Sequence, residues 1–173
     1  GTHGMAHGLS FILSCLPKAQ QMIPNAHFLF IGEGAEKENL LEQANNLQLS
    51  NVTFLPFVPK HKVTRYLSLI DVALVNLKKS ETFNAVIPSK IFEAAALEKP
   101  ILLGLEGEAK GMIESFNAGV CFEPENKEDF ILKCKAILVN TKYSEYQIGC
   151  KSLSIHFDRI KIAEDLLKSI ISN

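Results

Sequence analysis

The chain has 173 residues, of which 47% are hydrophobic and 21% charged, and its formal net charge is −1. This is the composition of a globular protein of about one domain, and it excludes a disordered chain. No basic stripe points to nucleic acid, and no apolar run is long enough to span a bilayer, so we expect neither a nucleic-acid partner nor a transmembrane segment.

The cysteines and histidines indicate no metal site. The four cysteines form no Cys-x-x-Cys pair, and the five histidines are scattered without the spacing of metal ligands. We therefore predict reduced structural thiols in a cytoplasmic protein and no bound metal.

A glycine-rich segment, residues 1–8, opens the chain. Glycines let a backbone approach a phosphate closely, and such a loop usually follows a strand. Since no strand precedes it in the sequence, we expect the chain to begin within or just after the first strand of its domain. The alternative for the first few residues is the remnant of a purification tag.

Helix and strand patterns alternate along the rest of the chain. Helices are predicted over residues 7–23, 36–47, 60–70, from 88 onward, 108–117, 127–139, 144–154 and 158–171. Strands are predicted over residues 27–31, 51–55, 71–77, 100–104 and 119–122. Continuous apolar strands separated by helices indicate a parallel sheet covered on both faces. We predict one α/β domain over residues 1–173, a doubly wound, Rossmann-like layer.

The segment from Ile87 to Ala96 lies between two predicted strands, after a loop over residues 78–86. Pro88 is tolerated where a helix begins, and Lys90 adds a positive charge beside the free amides of the first turn. Glu93 lies three residues further on and shares a face with Lys90. The pattern suits a phosphate beside a hydroxyl-bearing group, as in a nucleotide-sugar. A solvated Lys–Glu pair is the structural alternative.

Several segments, in this order, together resemble the nucleotide-sugar-binding C-terminal domain of GT-B glycosyltransferases, specifically the retaining group-1 (family 4) enzymes. The matching segments are residues 1–8, 28–34, 51–59, 71–75, 88–94 and 118–120. The Pro-Ser-Lys-x-Phe-Glu form of the helix start is most similar to the subgroup that builds bacterial surface polysaccharides with amino-sugar donors. The resemblance implies one half of a GT-B fold, with the acceptor domain N-terminal to this chain.

The resemblance also implies roles for individual residues. Glu93 matches the second glutamate of the Glu-x7-Glu motif, which accepts hydrogen bonds from ribose hydroxyls, and Ser89 and Lys90 would meet the diphosphate. Lys90 and Glu93 are the expected catalytic residues. The expected donor-binding set is Gly1 and Gly4 at the sugar phosphate, Gly32, Glu33 and Gly34 near the base and phosphates, Phe57 and Val58 at the nucleobase, and Pro88, Ser89, Lys90 and Glu93 at the helix start.

The chain departs from the family pattern at three positions. Ala85 stands where the first glutamate of the motif is expected, and only a loop shift would bring Glu81 into that place. Thr2 and His7 align with the usual arginine and lysine of the opening loop. Because His7 carries at most a partial charge near neutral pH, we expect Lys90 to neutralise more of the diphosphate.

The implied reaction moves a hexosyl or N-acetylhexosaminyl group from a nucleoside diphosphate sugar, UDP-linked by the subgroup resemblance, to an acceptor hydroxyl with retention. No metal or other cofactor is implied. The acceptor, a carbohydrate or lipid-linked glycan, would bind the missing domain, so the isolated chain is expected to bind donor without catalysing transfer. The full-length enzyme is expected to be cytoplasmic, with peripheral attachment to the inner face of the membrane left open.

Three other functions compete with this interpretation. A nicotinamide dehydrogenase fails, because the third glycine of Gly-x-Gly-x-x-Gly would fall at Lys37. A nucleotide-sugar epimerase of GT-B fold and a non-catalytic Rossmann-like module stay open. Individual residues also have structural alternatives: a tight turn at Gly32 and Gly34, a helix-start acid at Glu33 and a core position for Phe57.

Overall fold

The structure, a computed structural model, describes residues 1–138, residues 141–158 and Leu167. The strands are β1 (Phe28–Ile31), β2 (Val52–Leu55), β3 (Ala73–Asn76), β4 (Ile101–Gly104) and β5 (Gly119–Cys121). The α-helices of the described part are α1 (Leu9–Met22), α2 (Lys37–Asn46), α3 (Lys60–Leu69), α4 (Ser89–Ala95), α5 (Glu108–Phe116), α6 (Lys127–Leu138) and α7 (Tyr143–His156). The helix predicted over residues 158–171 lies outside the described residues, apart from Asp158 and Leu167.

All strand pairings are parallel, as predicted, but their hydrogen bonds form two groups. β1 pairs with β2, and β4 lies between β3 and β5. The glycine-rich segment touches both groups. Thr2 forms a parallel bridge with Glu33 just beyond β1, and Ala6 accepts a hydrogen bond from the Lys78 amide just beyond β3. The opening segment therefore joins the carboxyl ends of the two strand groups.

Helices cover both faces of the strands, which confirms the doubly wound prediction. Leu102 of β4 packs into a core built with α1, α2 and α6. Its neighbours Ile101 and Leu103 pack into a second core built with α4, α5 and α7. Because successive strand residues point to opposite faces, β4 is buried from both sides, which explains its unbroken apolar sequence.

Backbone conformation at the helix starts moves several predicted boundaries. Gly8 has a φ of 57°, so α1 begins at Leu9 rather than at residue 7. Pro88 was predicted to lie in the first turn of its helix, but it has extended backbone angles and precedes α4 as the cap residue. The loop predicted over residues 78–86 contains a short 3-10 turn, Glu81–Phe83. A proline is well suited to a cap position because it has no amide hydrogen to satisfy there.

The described residues contain no helix of the length and apolar character needed to cross a membrane. Over the same residues, no group of three or more histidine, cysteine or acidic side chains is arranged to hold a metal ion. The four cysteines are free thiols, and those at positions 15, 134 and 150 are buried.

Candidate functional site

The predicted site residues lie at the carboxyl edge of the strands. Gly32–Gly34 follow β1, residues 56–58 follow β2, and the loop that leads to α4 follows β3. Parallel strands bring their carboxyl ends to one edge, which is where open α/β sheets bind ligands. The opening segment, residues 1–8, reaches the same edge through its contacts with Glu33 and Lys78.

The two glycines after β1 are required by close backbone contact. Gly32 has a φ of 142°, and a Cβ atom there would lie 1.7 Å from the Gly1 carbonyl oxygen. Gly34 has a φ of 158°, and a Cβ atom there would lie 2.5 Å from the His3 carbonyl oxygen. The His3 amide also donates to the Glu33 carbonyl at 2.8 Å. The residues after β1 therefore form a tight turn that requires glycine, because the opening segment passes directly over it.

In the opening segment, neighbouring protein atoms constrain Gly8, whereas Gly4, which was predicted to approach the sugar phosphate, has open space beside it. A Cβ atom on Gly4 would meet nothing within 4 Å. Gly8 has a φ of 57°, and its Cβ atom would lie 3.0 Å from Nδ2 of Asn76. The backbone at Gly4 therefore makes no steric demand for glycine, whereas Gly8 allows the segment to turn into α1 against β3.

Lys90 projects from the first turn of α4 onto the backbone of Gly1. A Cβ atom built on Gly1 would lie 3.1 Å from Cε and 3.2 Å from Nζ of Lys90. Burial lowers the pKa of Lys90, and the negative charge of Glu93 opposes that shift. Within the described part of the chain, Lys90 forms no ion pair within 4 Å. The site thus holds a partly desolvated cation with capacity for an anionic ligand.

Glu93 lies one turn after Lys90, and its side chain is exposed. Its negative charge opposes the lowering of the Lys90 pKa. The structure therefore brings Gly1, Lys90 and Glu93 close together at this edge. Ser89 is also exposed, at the first position of α4.

Two histidines of the opening segment stand beside this cation. His3 is 3% exposed, its Nδ1 has no partner among the described residues, and its ring lies edge-on to Phe54. His7 Nε2 lies 3.0 Å from Oγ1 of Thr2. Burial is the main cause that lowers the pKa of both imidazoles, and Lys90 lowers them further. Both are therefore mostly neutral at pH 7, and Lys90 is a charged side chain beside them.

Glu33 connects the loops that follow β1 and β2. It forms an ion pair with Lys37 and accepts a hydrogen bond from the Phe57 amide at 3.2 Å. The Lys37 hydrogen bond lowers the pKa of Glu33. Because α2 begins only at Lys37, Glu33 lies before the first turn of that helix, and its carboxylate contacts both Lys37 and the Phe57 amide.

The side chain of Phe57 is 67% exposed, so its interpretation as a core residue is wrong. The neighbouring Val58 is half-buried. Glu33 fixes the backbone of Phe57 at the edge of the site. The exposed aromatic ring of Phe57 provides an apolar face on which a planar ring could stack.

Ala85 is exposed and offers no carboxylate at the position of the first motif glutamate. Glu81 lies in the 3-10 turn and lines a cleft of about 310 Å³ with Lys78, Asn84 and Leu105 among others. The carboxylate whose charge acts on Lys90 is Glu93.

Sequence reasoning missed Asn76, which closes β3. Its side chain is 7% exposed, and Nδ2 donates to the His7 carbonyl at 2.8 Å. The available signal was a polar residue between Val75 and Leu77 at the carboxyl end of a buried apolar strand. Such a position needs a hydrogen-bond partner, because burying an unpaired amide is unfavourable.

Comparisons with known proteins agree with this fold. Residues 5–148 match the family model "Glycosyl transferases group 1". Over 112 residues, the chain is 32% identical to the protein named "Probable glycosyltransferase WbjE" of Pseudomonas aeruginosa, a match that covers 64% of this chain and 27% of that protein.

Solved structures show the same fold. The crystal structure of Anabaena Alr3699/HepE in complex with UDP superposes with a TM-score of 0.81 at 18% identity, covering 100% of this chain and 47% of that one. The C-terminal domain of the group 1 family protein LpcC from Francisella tularensis superposes with a TM-score of 0.72 at 16% identity, covering 91% of this chain and 82% of that one.

This chain therefore spans about a quarter of the length of the curated relative and just under half of the length of HepE. The match to the family model extends over most of the chain, from the opening segment to α7. The chain belongs to the glycosyl transferases group 1 family, as the motifs predicted.

Proposed function

We propose that this chain is the donor-binding domain of a retaining glycosyltransferase and that it binds a nucleoside diphosphate sugar, UDP-linked in the first instance. The observation that carries the proposal is the partly buried Lys90, which lies on the Gly1 backbone beside Glu93 without a carboxylate in ion-pair distance among the described residues. The complex of HepE with UDP, which shares this fold, supports the choice of nucleotide.

In the proposed reaction, the bond between the sugar and the diphosphate breaks, and its electron pair stays on the diphosphate oxygen. The acceptor hydroxyl oxygen forms the new bond on the same face of the sugar, and its proton passes to the departing diphosphate oxygen. Negative charge grows on the diphosphate in the transition state, so a fixed cation beside it lowers the barrier. Lys90 supplies that charge; α4 has only seven residues, so its backbone dipole is secondary. Glu93 accepts hydrogen bonds from the ribose hydroxyls.

We further propose that donor binding needs no divalent metal, because the Lys90 ammonium supplies the positive charge that a metal cation would otherwise supply at the diphosphate. The acceptor, a carbohydrate or a lipid-linked glycan of bacterial polysaccharide synthesis, would bind a further domain of the whole protein. Cytoplasmic location, with the whole enzyme at the inner face of the membrane, belongs to the same proposal.

Ala85 favours one competing function, a non-catalytic binding module. Without the first motif glutamate, the chain has one carboxylate fewer with which to hold the sugar. The two functions differ in turnover and not in nucleotide affinity. A transfer assay on the whole protein, with UDP release as the readout, therefore separates them.

Calorimetric titration of the chain with UDP, GDP and NAD, each with and without magnesium, tests the proposal. We expect one nucleoside diphosphate to bind equally well without the metal. Glu93→Ala should weaken that binding by about tenfold or more, the effect of losing hydrogen bonds to a charged group. Glu145→Ala, which removes another exposed helical glutamate, is the matched control. A folded chain that binds none of the three ligands, or a Glu93→Ala variant with unchanged affinity, would contradict the proposal.

A further inference from the structure

Asn76 attaches the opening segment to the end of β3. Its Nδ2 donates to the His7 carbonyl at 2.8 Å, and two residues later the Lys78 amide donates to the Ala6 carbonyl at 2.9 Å. These two bonds join positions about 70 residues apart in sequence. They fix residues 6–7 at the carboxyl edge, where Lys90 also lies.

The Asn76 amide is closely enclosed by glycines. A Cβ atom on Gly8 would lie 3.0 Å from Nδ2, and one on Gly104 of β4 would lie 2.1 Å from Oδ1. Oδ1 is buried and has no hydrogen-bond partner among the described residues. An unpaired buried oxygen is unfavourable, and an apolar side chain of similar shape would avoid that cost. The hydrogen bond to the His7 carbonyl is therefore the contact that explains asparagine at this position, because an apolar side chain would leave that carbonyl without this donor.

We propose that Asn76 is a positioning residue of the donor site: by holding the His7 carbonyl, it sets the place of the opening segment and thereby of the Lys90 ammonium. Few contacts separate Asn76 from Lys90, because the opening segment that Asn76 holds also contains Gly1, on whose backbone Lys90 lies. This inference rests on the proposed function, since it assigns the diphosphate to Lys90.

The position requires an uncharged side chain with a hydrogen-bond donor, and asparagine provides one. Aspartate has the same shape but would set a carboxylate oxygen against the His7 carbonyl and would add negative charge to a site for an anion. Leucine has a similar volume and no donor. Asn76→Leu and Asn76→Asp therefore remove the hydrogen bond in two chemically different ways.

The chain contains a matched control in Asn51, which is 6% exposed. Asn51 precedes β2, so it lies at the amino edge of the strands, opposite the site. Both its Nδ2 and its Oδ1 are buried without a partner among the described residues. Substitutions of Asn51 thus test burial of an amide without the link to the opening segment.

The test compares UDP and uridine affinities of Asn76→Leu and Asn76→Asp with those of Asn51→Leu and Asn51→Asp. We expect the Asn76 variants to bind UDP about tenfold more weakly, the loss expected for one misplaced charge-assisted contact, and to bind uridine within about twofold of the original chain. The Asn51 variants should keep both affinities. Hydrogen exchange of the Lys78 amide should become faster in the Asn76 variants and not in the Asn51 variants.

Unchanged UDP affinity in a folded Asn76 variant would overturn the inference, and so would unchanged exchange of the Lys78 amide. If Asn76→Leu does not fold, the isosteric Asn76→Asp provides both readouts. Failure of the proposed function is distinguishable, because the unsubstituted chain would then bind no UDP. In that case the role of Asn76 at a diphosphate site falls as well, and the exchange measurement shows only whether it holds the segment.

Discussion

Two lysines that follow β3 at the same edge of the strands have opposite environments. Lys79 is 59% exposed in its side chain, pairs with Glu123 at 2.7 Å, and donates its amide to Glu125. The Glu123 hydrogen bond raises the pKa of Lys79. Lys90 is half-buried against Gly1, and burial lowers its pKa. Among the residues that the structure describes, Lys79 has a carboxylate within ion-pair distance and Lys90 does not.

We interpret this difference as one between a charge that the protein pairs itself and a charge that is available to a ligand. The Lys79 pair is exposed, and such pairs contribute little to stability because water already solvates both ions. Lys90 has lost part of its hydration without gaining an ion pair, which is unfavourable in the free protein. A desolvated, unpaired cation at a ligand-binding edge indicates an anionic ligand that compensates for the lost hydration.

The largest effect is expected from Gly32→Ala, because the added methyl group would displace the backbone on which Lys90 lies. Its Cβ atom would lie 1.7 Å from the Gly1 carbonyl oxygen, so the opening segment must move. We expect the free energy of unfolding to fall by about 3 kcal/mol and UDP affinity to fall roughly 100-fold, as misplacement by about 1 Å can cause. Chemical denaturation and calorimetry measure the two effects.

The control for this substitution is Gly111→Ala in α5, where a Cβ atom meets nothing within 4 Å. It should stabilise the chain by about 1 kcal/mol, because alanine favours helix over glycine, and leave UDP affinity unchanged. Equal UDP affinity in both alanine variants would show that the opening segment is not part of the site.

The next largest effect is expected from Lys90→Gln compared with Lys79→Gln. Glutamine keeps much of the aliphatic stem and removes the charge. UDP affinity should fall about 30-fold for Lys90→Gln, equivalent to about 2 kcal/mol, and less than twofold for Lys79→Gln. The melting temperature of Lys90→Gln should equal or exceed that of the unsubstituted chain, because the variant lacks a partly desolvated charge. Similar losses of UDP affinity in the two variants would remove the distinction between these lysines.

A rise in pH is expected to have a smaller effect, and it should change UDP affinity and the contribution of Lys90 to stability in opposite directions. The folded-state pKa of Lys90 lies below its ordinary value, so Lys90 deprotonates earlier in the folded chain than in the unfolded chain. Between the two pKa values the unfolded state binds more protons, and the contribution of Lys90 to stability rises with pH. UDP affinity should fall over the same range, because the ammonium is lost.

For Lys79 the sign is reversed: its raised pKa gives a stabilising contribution that is present below the unfolded pKa and lost as pH rises through the folded pKa. Calorimetry with UDP from roughly pH 7 to pH 10 measures the Lys90 effect, and Lys90→Gln should flatten the profile. A decline that persists in Lys90→Gln would assign it to another group.

The smallest effect is expected from Phe57→Ala at the outer edge of the site. The ring is 67% exposed, so its removal should leave the free energy of unfolding nearly unchanged. If the nucleobase stacks on it, UDP and uridine affinities should both fall about fivefold, as for loss of about 1 kcal/mol of stacking. Leu69→Ala, at a residue that is 78% exposed on α3, is the control. A loss for UDP without a loss for uridine would contradict base stacking.

The order of strands and helices was predictable because buried parallel strands have continuous apolar sequences and the helices between them have apolar stripes. Helix starts were less predictable, since they depend on backbone angles at Gly8 and Pro88. The proximity of Lys90 to Glu93 followed from their helical spacing. The contact of Lys90 with Gly1 did not follow, because it joins residues almost 90 positions apart.

The same limit applies to burial. His3 and Asn76 are polar residues at the end of a loop or strand, and their burial results from contacts with Phe54 and with the opening segment. A core position was the structural alternative for Phe57, from the usual burial of aromatic residues, whereas its loop after β2 leaves it exposed. Such outcomes depend on tertiary contacts that no local periodicity encodes.

The most direct test of the central claim is to follow the side-chain NMR signals of Lys90 and Lys79 through an alkaline titration, with and without UDP. The account predicts that Lys90 titrates below Lys79 in the free chain and that UDP raises the pKa of Lys90 while leaving that of Lys79 unchanged. Titration of Lys90 together with Lys79, or a Lys90 pKa that UDP does not alter, would contradict the assignment of Lys90 to the diphosphate.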